Sequence, residues 1–480
     1  MRRPDPERLD ADAQALRRLG YAQELLRDMG GFSNFAISFS IISVLTGAVT
    51  LYGHGLRFGG PRVMALGWPL VALLTLPVAA SLAQLASSYP TAGALYHWAA
   101  LLGGPAFGFF TAWLNTIGQF AITAGIDYGL AGFLAPALGL PADRAHLLAV
   151  CALLLLSHAL LNHLGVRAVA FLSSLSAWVH LAGVALLAGA LWAFAPHRPL
   201  SFLLENAPAP PVPAFALPHA HAYGFLVGLL LAGWTFTGFD ASAHSSEETL
   251  DPTRNAPWGI VLSVAVSAVA GFLLLVAVTL AIADLPQAAA AENPFTFVLN
   301  AALGARGGAA LVWVAMAAMW FCGLASITSN SRMLFAFARD GGLPASAALA
   351  RVSPRFKSPH VAIWTAAACA FAVALWSEAY EAMTALSTVA LYASYGLPIL
   401  VGLRARRSGL WRKRGPWDLG RFSFALNLAA LVWIAALMVL FVLPPNALAG
   451  WTFAGALLLL AAYWKLWMKK RFRGPRLTIP

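Results

Sequence analysis

Charge is scarce in this chain, and acid is scarcer than base. Only 10% of the 480 residues are Asp, Glu, Lys or Arg, and 31 basic residues face 19 acidic ones. With 60% hydrophobic residues and a mean hydropathy of +0.73, a water-soluble globule is excluded. Cysteine is nearly absent too. Cys151, Cys322 and Cys369 fall in apolar runs without CxxC spacing, which brings neither a disulfide framework nor a metal site into view. No Walker A sequence and no cofactor fingerprint occurs. No clustered His/Asp/Glu set or nucleophile–base motif stands out either. The chain is therefore expected to be no enzyme, to carry no cofactor or metal, and to draw any energy from a gradient.

What is abundant is apolar helix. A bilayer core takes about 20 apolar residues per crossing. Runs of that kind recur near 29–56, 63–88, 105–135, 146–163, 170–195, 222–246, 258–283, 308–338, 361–377, 380–403, 424–443 and 449–468, about twelve segments in all. With a cytoplasmic N-terminus, only Arg57, Arg62, Arg144, Arg198 and Arg306 fall outside, and the other Lys and Arg lie inside. That bias sets topology. It predicts a multi-pass protein of the cytoplasmic (inner) membrane with both termini cytoplasmic.

The net charge of +12 is then topogenic. The basic residues flank helices and form no interleaved aromatic patch, so no nucleic-acid partner is expected. Lys469-Lys470-Arg471 offers a contact to anionic lipid headgroups. The first apolar segment is too long for the core of a signal peptide and is expected to stay as a helix. The Pro- and Ala-rich 196–221 and the stretch 284–307 are the longest extramembrane pieces.

Two polar interruptions fall in matching places. Thr46-Gly47-Ala48-Val49-Thr50 interrupts the first segment, and Trp234-Thr235-Phe236-Thr237-Gly238-Phe239-Asp240 interrupts the sixth. Backbone leaves helical geometry at membrane depth only where it lines a cavity or is buried in protein. Such interruptions in corresponding positions of two halves point to a substrate site, with half-helix N–H groups aimed at anions and C=O groups at cations. A small zwitterion fits such a cradle. A repeat of five helices, an odd count, would place the second copy upside down in the membrane. The organisation expected is a tail at 1–28, a core at 29–406 with inverted repeats about 29–195 and 222–406, and a basic loop at 407–423. Helices 11 and 12 follow at 424–468, then a tail at 469–480.

Candidate substrate ligands are Thr46, Gly47, Ala48 and Thr50 in segment 1 and Trp234, Phe236 and Gly238 in segment 6. Aromatics there can close over a substrate or bind an ammonium. Gln119 and Thr123 share a face of segment 3 at i, i+4. Their polar stripe serves either as substrate ligands or as interhelical glue. Asp240 is an acid near membrane depth, a costly placement that marks function. His180, mid-way along segment 5, is the side-chain type that changes charge near neutrality, or else a neutral imidazole bonded to a carbonyl. Both are candidates for proton coupling. Asp127 binds a cationic group or points into an aqueous vestibule. Ser326 and Ser329 are a candidate cation site, although Ser is frequent in membrane helices, so Na⁺ ranks behind the proton. Glu247, Glu248, Arg332, Arg339 and Asp340 form either a cytoplasmic gate or ordinary surface pairs of little energetic weight.

At these residues the chain resembles the amino acid–polyamine–organocation (APC) superfamily of permeases, over nearly its whole length. The most specific pieces are Ser246-Glu247-Glu248-Thr249 followed by Arg254-Asn255-Ala256-Pro257, and the run Arg332-Met333-Leu334-Phe335-Ala336-Phe337-Ala338-Arg339-Asp340-Gly341-Gly342-Leu343-Pro344. Tyr89-Pro90-Thr91-Ala92-Gly93 and Leu161-Asn162-His163-Leu164-Gly165-Val166-Arg167 are also similar. Leu45-Thr46-Gly47, Tyr52-Gly53, Gly59-Gly60-Pro61 and Trp178-Val179-His180 look closest to the amino acid/choline transporter branch, which includes GABA, choline and polyamine permeases.

The resemblance implies an all-α, five-plus-five inverted-repeat fold with discontinuous helices 1 and 6, two extra C-terminal helices and alternating access. It implies a substrate carboxylate on the amides around Thr46, Gly47 and Ala48. The ammonium would lie on carbonyls near Phe236, with Phe236 as a gate. It implies proton sensing at Asp240, and it puts His180 where some members carry a Lys. The function expected is a secondary permease for an amino acid or related amine, with a proton as partner. Alternatives are an antiporter, a choline, polyamine or GABA carrier, and an amino acid sensor built on a transporter fold.

Overall fold

The computed structural model describes residues 6–208, 220–376 and 380–475. Residues 1–5, 209–219, 377–379 and 476–480 lie outside the described residues. The chain is all-helical, as its composition requires. An amphipathic α1 (Pro6–Arg18) precedes the first broken helix, α2 (Gly31–Ile42), α3 (Val44–Thr50) and α4 (Tyr52–Gly59). A single π turn, Val63–Gly67, leads into α5 (Trp68–Ser88), and α6 (Leu95–Gly103) turns back into the bundle before the long α7 (Pro105–Ala137). Then come α8 (Arg144–His163) and α9 (Val166–Phe194).

The second broken helix is α10 (Ala220–Gly228), α11 (Leu230–Thr235) and α12 (Ala241–His244). It is followed by α13 (Pro252–Leu280), α14 (Leu285–Ala290), α15 (Pro294–Arg339), α16 (Ser346–Leu349), α17 (His360–Trp376) and α18 (Tyr380–Arg407). Last are α19 (Ser423–Leu440), α20 (Ala447–Tyr463) and the short α21 (Lys469–Arg471).

Ten of these stretches are long and apolar enough to cross a bilayer, and Ala220–Thr235 and His360–Trp376 are shorter apolar helices. Their places coincide with the twelve apolar runs. Helix starts follow local chemistry. Pro105, Pro252 and Pro294 stand in first turns, where no amide partner is lost. Asp143, Asp284 and Asn293 accept the amides of His146, Gln287 and Thr296 at 3.1, 2.9 and 3.0 Å. The stretch 284–307, expected to be extramembrane, is largely helical. It holds α14 and the first part of α15, which bends at Gly304 (φ 74°, ψ 162°) before the main span begins.

The core is one continuous apolar cluster in which α7 packs on α18, α5 on α13, and α2 on both α9 and α13. α19 lies against α5 and α18 at the margin, and α20 is the most exposed span. The broken helices therefore run through the middle of the bundle.

Candidate functional site

The first break is a single residue. Ser43 adopts a left-handed conformation (φ 34°, ψ 82°) between α2 and α3. It lies three residues before the expected Thr46–Thr50, which continues as regular helix. A non-glycine residue costs roughly 1–2 kcal/mol in this region, and a hydrogen-bonded chain holds it there. His180 Nδ1 lies 2.8 Å from the Ser176 carbonyl, and its Nε2 lies 2.7 Å from Ser43 Oγ. Ser43 Oγ is in turn 2.6 Å from Thr46 Oγ1. A carbonyl only accepts, so Nδ1 carries the hydrogen and Nε2 accepts from the Ser43 hydroxyl. His180 thus braces the break with no carboxylate beside it. At the same place Cys322 donates its thiol to the Ile41 carbonyl at 3.3 Å.

The second break spans five residues and lies where the sequence suggests. Phe236 leaves helical geometry (φ −82°, ψ 51°), and Gly238 is left-handed (φ 81°). The freed backbone groups find partners in the bundle, as membrane depth demands. Tyr392 donates its hydroxyl to the Phe236 carbonyl at 2.8 Å, Ser38 donates to the Phe239 carbonyl at 2.8 Å, and the Gly238 amide donates to Tyr395 Oη at 3.0 Å. A β-carbon on Gly238 would overlap Ile41 on α2, and one on Gly47 would overlap Thr235 on α11. Only glycine lets the two breaks interlock.

Between them is a cavity of about 10 Å³, roughly the space of one water. Thr46, Gly47, Ile122, Trp234, Thr235 and Cys322 are among its walls. A far larger vestibule of about 960 Å³, lined by Thr50, Tyr128, Phe133, Glu292, Trp313 and Tyr380 among others, opens one helical turn above. Trp234 and Tyr380 meet edge to face between the two, with ring centroids 6.1 Å apart. The Trp234 indole donates to Ser387 Oγ at 3.0 Å. Phe236 points elsewhere. Its ring packs on Trp68, 4.8 Å away, outside the cavity lining, so the ring at the hinge between cavity and vestibule is Trp234.

The polar stripe of segment 3 bonds across to α15. Gln119 donates to Ser329 Oγ at 3.0 Å and Thr123 Oγ1 lies 2.7 Å from Ser326 Oγ. The two serines offered as a cation site are therefore bonded to α7.

Asp240 is fully buried at the start of α12. Its carboxylate accepts from Asn115 Nδ2 at 3.1 Å and from the Tyr395 hydroxyl at 2.9 Å, and its Oδ2 lies 3.1 Å from His244 Nε2. The sequence reading overlooked His244. Its i, i+4 spacing from Asp240 in Asp240-Ala241-Ser242-Ala243-His244 was the available signal. His244 Nδ1 faces the Ala92 carbonyl at 2.9 Å and so carries a hydrogen. Nε2 is then the ring nitrogen that faces the Asp240 carboxylate.

The far end of the bundle is sealed by buried ion pairs. Arg332 grips Glu248 with two hydrogen bonds of 2.9 and 3.0 Å, both side chains being at most 1% exposed. Arg339 grips Glu247 likewise at 3.0 and 2.8 Å. Burial opposes ionisation of Glu247, but the Arg339 guanidinium and the Ala92 amide outweigh it and hold the carboxyl below its usual range. Asp340 accepts from Tyr21, Tyr96 and His97 at 2.8, 3.0 and 3.1 Å. These are no surface pairs.

The N-terminal stretch, read as a plain tail, joins this seal. Tyr21 lies under Arg339 at 3.9 Å, Arg27 donates to the carbonyls of Ser246 and Thr249, and Met29 bridges Thr249. Nothing in its sequence is apolar enough to announce that docking.

Residues 29–464 match the amino acid permease family model. The chain belongs to the amino acid permease family. It is 36% identical to the amino-acid permease BAT1 homolog of Oryza sativa subsp. japonica, over 97% of this chain and 96% of that one. It is 34% identical to amino-acid permease BAT1 of Arabidopsis thaliana over the same shares. The GABA-specific permease of Saccharomyces cerevisiae is 28% identical over 97% of this chain and 86% of its own. This permease is accordingly a multi-pass membrane transporter of amino acids, and the resemblance to the APC superfamily holds.

Proposed function

We propose that this permease is a proton-coupled secondary carrier of a small amino acid or related amine, working by alternating access. The observation that carries the reading is the interlock of two broken helices around a cavity, with a buried Asp–His pair on the same broken helix. The substrate enters through the vestibule and passes the Trp234–Tyr380 contact. Its carboxylate is taken at the start of α3, where the Val44 and Leu45 amides precede the first bonds, those of Thr46 and Gly47 to the Ser43 carbonyl. Thr46, Gly47, Ala48 and Thr50 continue α3 beyond it, and the ammonium lies toward the carbonyls around Phe236 and Gly238. The GABA-specific relative supports a substrate with a carboxylate and an amine on a short chain.

In this reading Asp240 and His244 carry the coupled proton, and Glu247, Glu248, Arg332, Arg339 and Asp340 close the cytoplasmic gate. Inverted repeats at about 29–195 and 222–406 rock against each other, with the 407–423 loop cytoplasmic, 424–468 outside the repeat, and the tails 1–28 and 469–480 cytoplasmic in the inner membrane. A ligand moves that equilibrium only by binding the two states unequally.

The test is uptake into proteoliposomes of amino acids, GABA, choline and putrescine, each with and without an inward proton gradient at fixed sodium. Accumulation of one class only with the gradient supports the proposal. Gradient-independent exchange against preloaded substrate would replace it with an antiporter.

A further inference from the structure

We propose that Asp127 and His158 form a second proton-binding site, in which the two side chains share one exchangeable proton. Asp127 on α7 and His158 on α8 are fully buried, with Oδ2 and Nδ1 3.4 Å apart. Among the described residues, neither carboxylate oxygen and neither ring nitrogen has a hydrogen-bond partner, so each group faces only the other. The facing position on α15 is Gly323, where a β-carbon would overlap Asp127 Oδ1 and lie 2.5 Å from His158 Cε1. The Trp320 ring covers His158 at 5.3 Å. Three helices thus enclose the pair, and one of them presents glycine to make the room.

An ionised Asp127 beside a neutral imidazole would leave a net negative charge buried with at most one N–H facing it, a costly arrangement in a membrane interior. The pair avoids it in two ways, a protonated acid beside a neutral imidazole or a carboxylate beside an imidazolium. Each holds one proton. The other titratable groups facing Asp127 are the thiols of Cys151 on α8 and Cys322 on α15. From α17, which packs on both α7 and α8, come only His360 at its start and Cys369. From α18 come Thr384 beside Gly125 and Tyr380 beside Gly129, with Glu381 next to Tyr380. Among the described residues, no Lys, Arg or further acid forms an ion pair with either residue.

The site is distinct from Asp240. Asp240 is bonded to Asn115, twelve residues before Asp127 on the same helix, about 18 Å along it at 1.5 Å per residue. It is also placed to respond to the cavity. Ile126, next to Asp127, and Cys322, next to Gly323, both line the space between the breaks. A shift of α7 against α8 and α15 that widens that space alters the Asp127–His158 separation, and with it the affinity for the shared proton.

The proposal needs no transport activity, so silence in the uptake assay leaves it standing. The experiment is infrared spectroscopy of the full-length protein in lipid nanodiscs between about pH 5 and 9, bracketing the ordinary imidazole value. It is done on an Asp240→Asn background to remove the other pair. The result expected is a pH-dependent carboxyl or imidazole band that disappears in both Asp127→Asn and His158→Gln. Gly323→Ala, which forces the pair apart, is expected to move its midpoint by about one pH unit or more. Bands unchanged by Asp127→Asn and His158→Gln in monodisperse protein would overturn the proposal. Where those variants do not fold, an unmoved midpoint in Gly323→Ala overturns it.

Discussion

Gly47 on α3 and Thr235 on α11 touch across the two broken helices so closely that any β-carbon at position 47 would overlap the threonine side chain. Both residues line the small cavity. Gly47→Ala is therefore expected to lower uptake at least tenfold by spreading the breaks. Thr235→Ala, which removes two of the three atoms in the way, should recover part of it in the double variant. The measurement is uptake by purified protein in liposomes. Wild-type uptake in Gly47→Ala would detach this contact from the transport cycle.

Asp240 and His244 are the pair proposed to carry the coupled proton. Asp240→Asn and His244→Gln each remove one partner while keeping shape and hydrogen-bonding capacity. Each is expected to cut gradient-driven accumulation about tenfold and to leave exchange of preloaded substrate within about twofold. Such a split separates coupling from binding. Equal loss of both activities would make the pair structural, and an intact response to the gradient would remove it from coupling.

Much of this architecture is legible in the sequence, because one signal, the apolar run of about 20 residues, dominates a membrane chain. The second break is legible for a related reason: Gly238 sits in a polar cluster that no ordinary span would carry. The first break is misplaced by three residues, since Ser43 gives no hint of left-handed backbone. Its conformation depends on His180, 137 residues away along the chain. Asp240 stands out as a lone acid, whereas its partner His244 looks like one more residue near the helix end. Gln119, Thr123, Ser326 and Ser329 read equally as ligands or glue, and only their mutual distances favour glue. The seal by Tyr21 and Arg27 is invisible, because polar residues in a leading tail look the same free or docked.

The Glu247–Arg339 pair gives a pH prediction with a definite sign. Its carboxyl is held below the ordinary glutamate value of about 4.3. Its stabilisation is therefore present in full above that value and lost as pH falls through the folded one. Glu247→Gln leaves Arg339 without its buried partner, a loss of about 3–5 kcal/mol for pairs of this kind. Thermal unfolding in detergent should show the variant well below wild type at neutral pH, with the two curves converging below about pH 4. Parallel curves at all pH values would mean that the pair contributes no proton linkage.

The last prediction separates two roles for His180. As a proton carrier, its loss would flatten the pH response of transport. As the brace of Ser43, its loss would release a strained residue and leave the pH response intact. Its partners, the Ser43 and Ser176 hydroxyls and the Ser176 carbonyl, favour the brace. His180→Ala is then expected to raise the apparent KM several-fold with an unchanged pH profile. Ser43→Gly should restore much of the loss, because glycine adopts the left-handed conformation without a steric penalty. No proton carrier could be replaced by a glycine on another helix. Failure of that rescue, together with a flattened pH profile, would return His180 to the coupling mechanism.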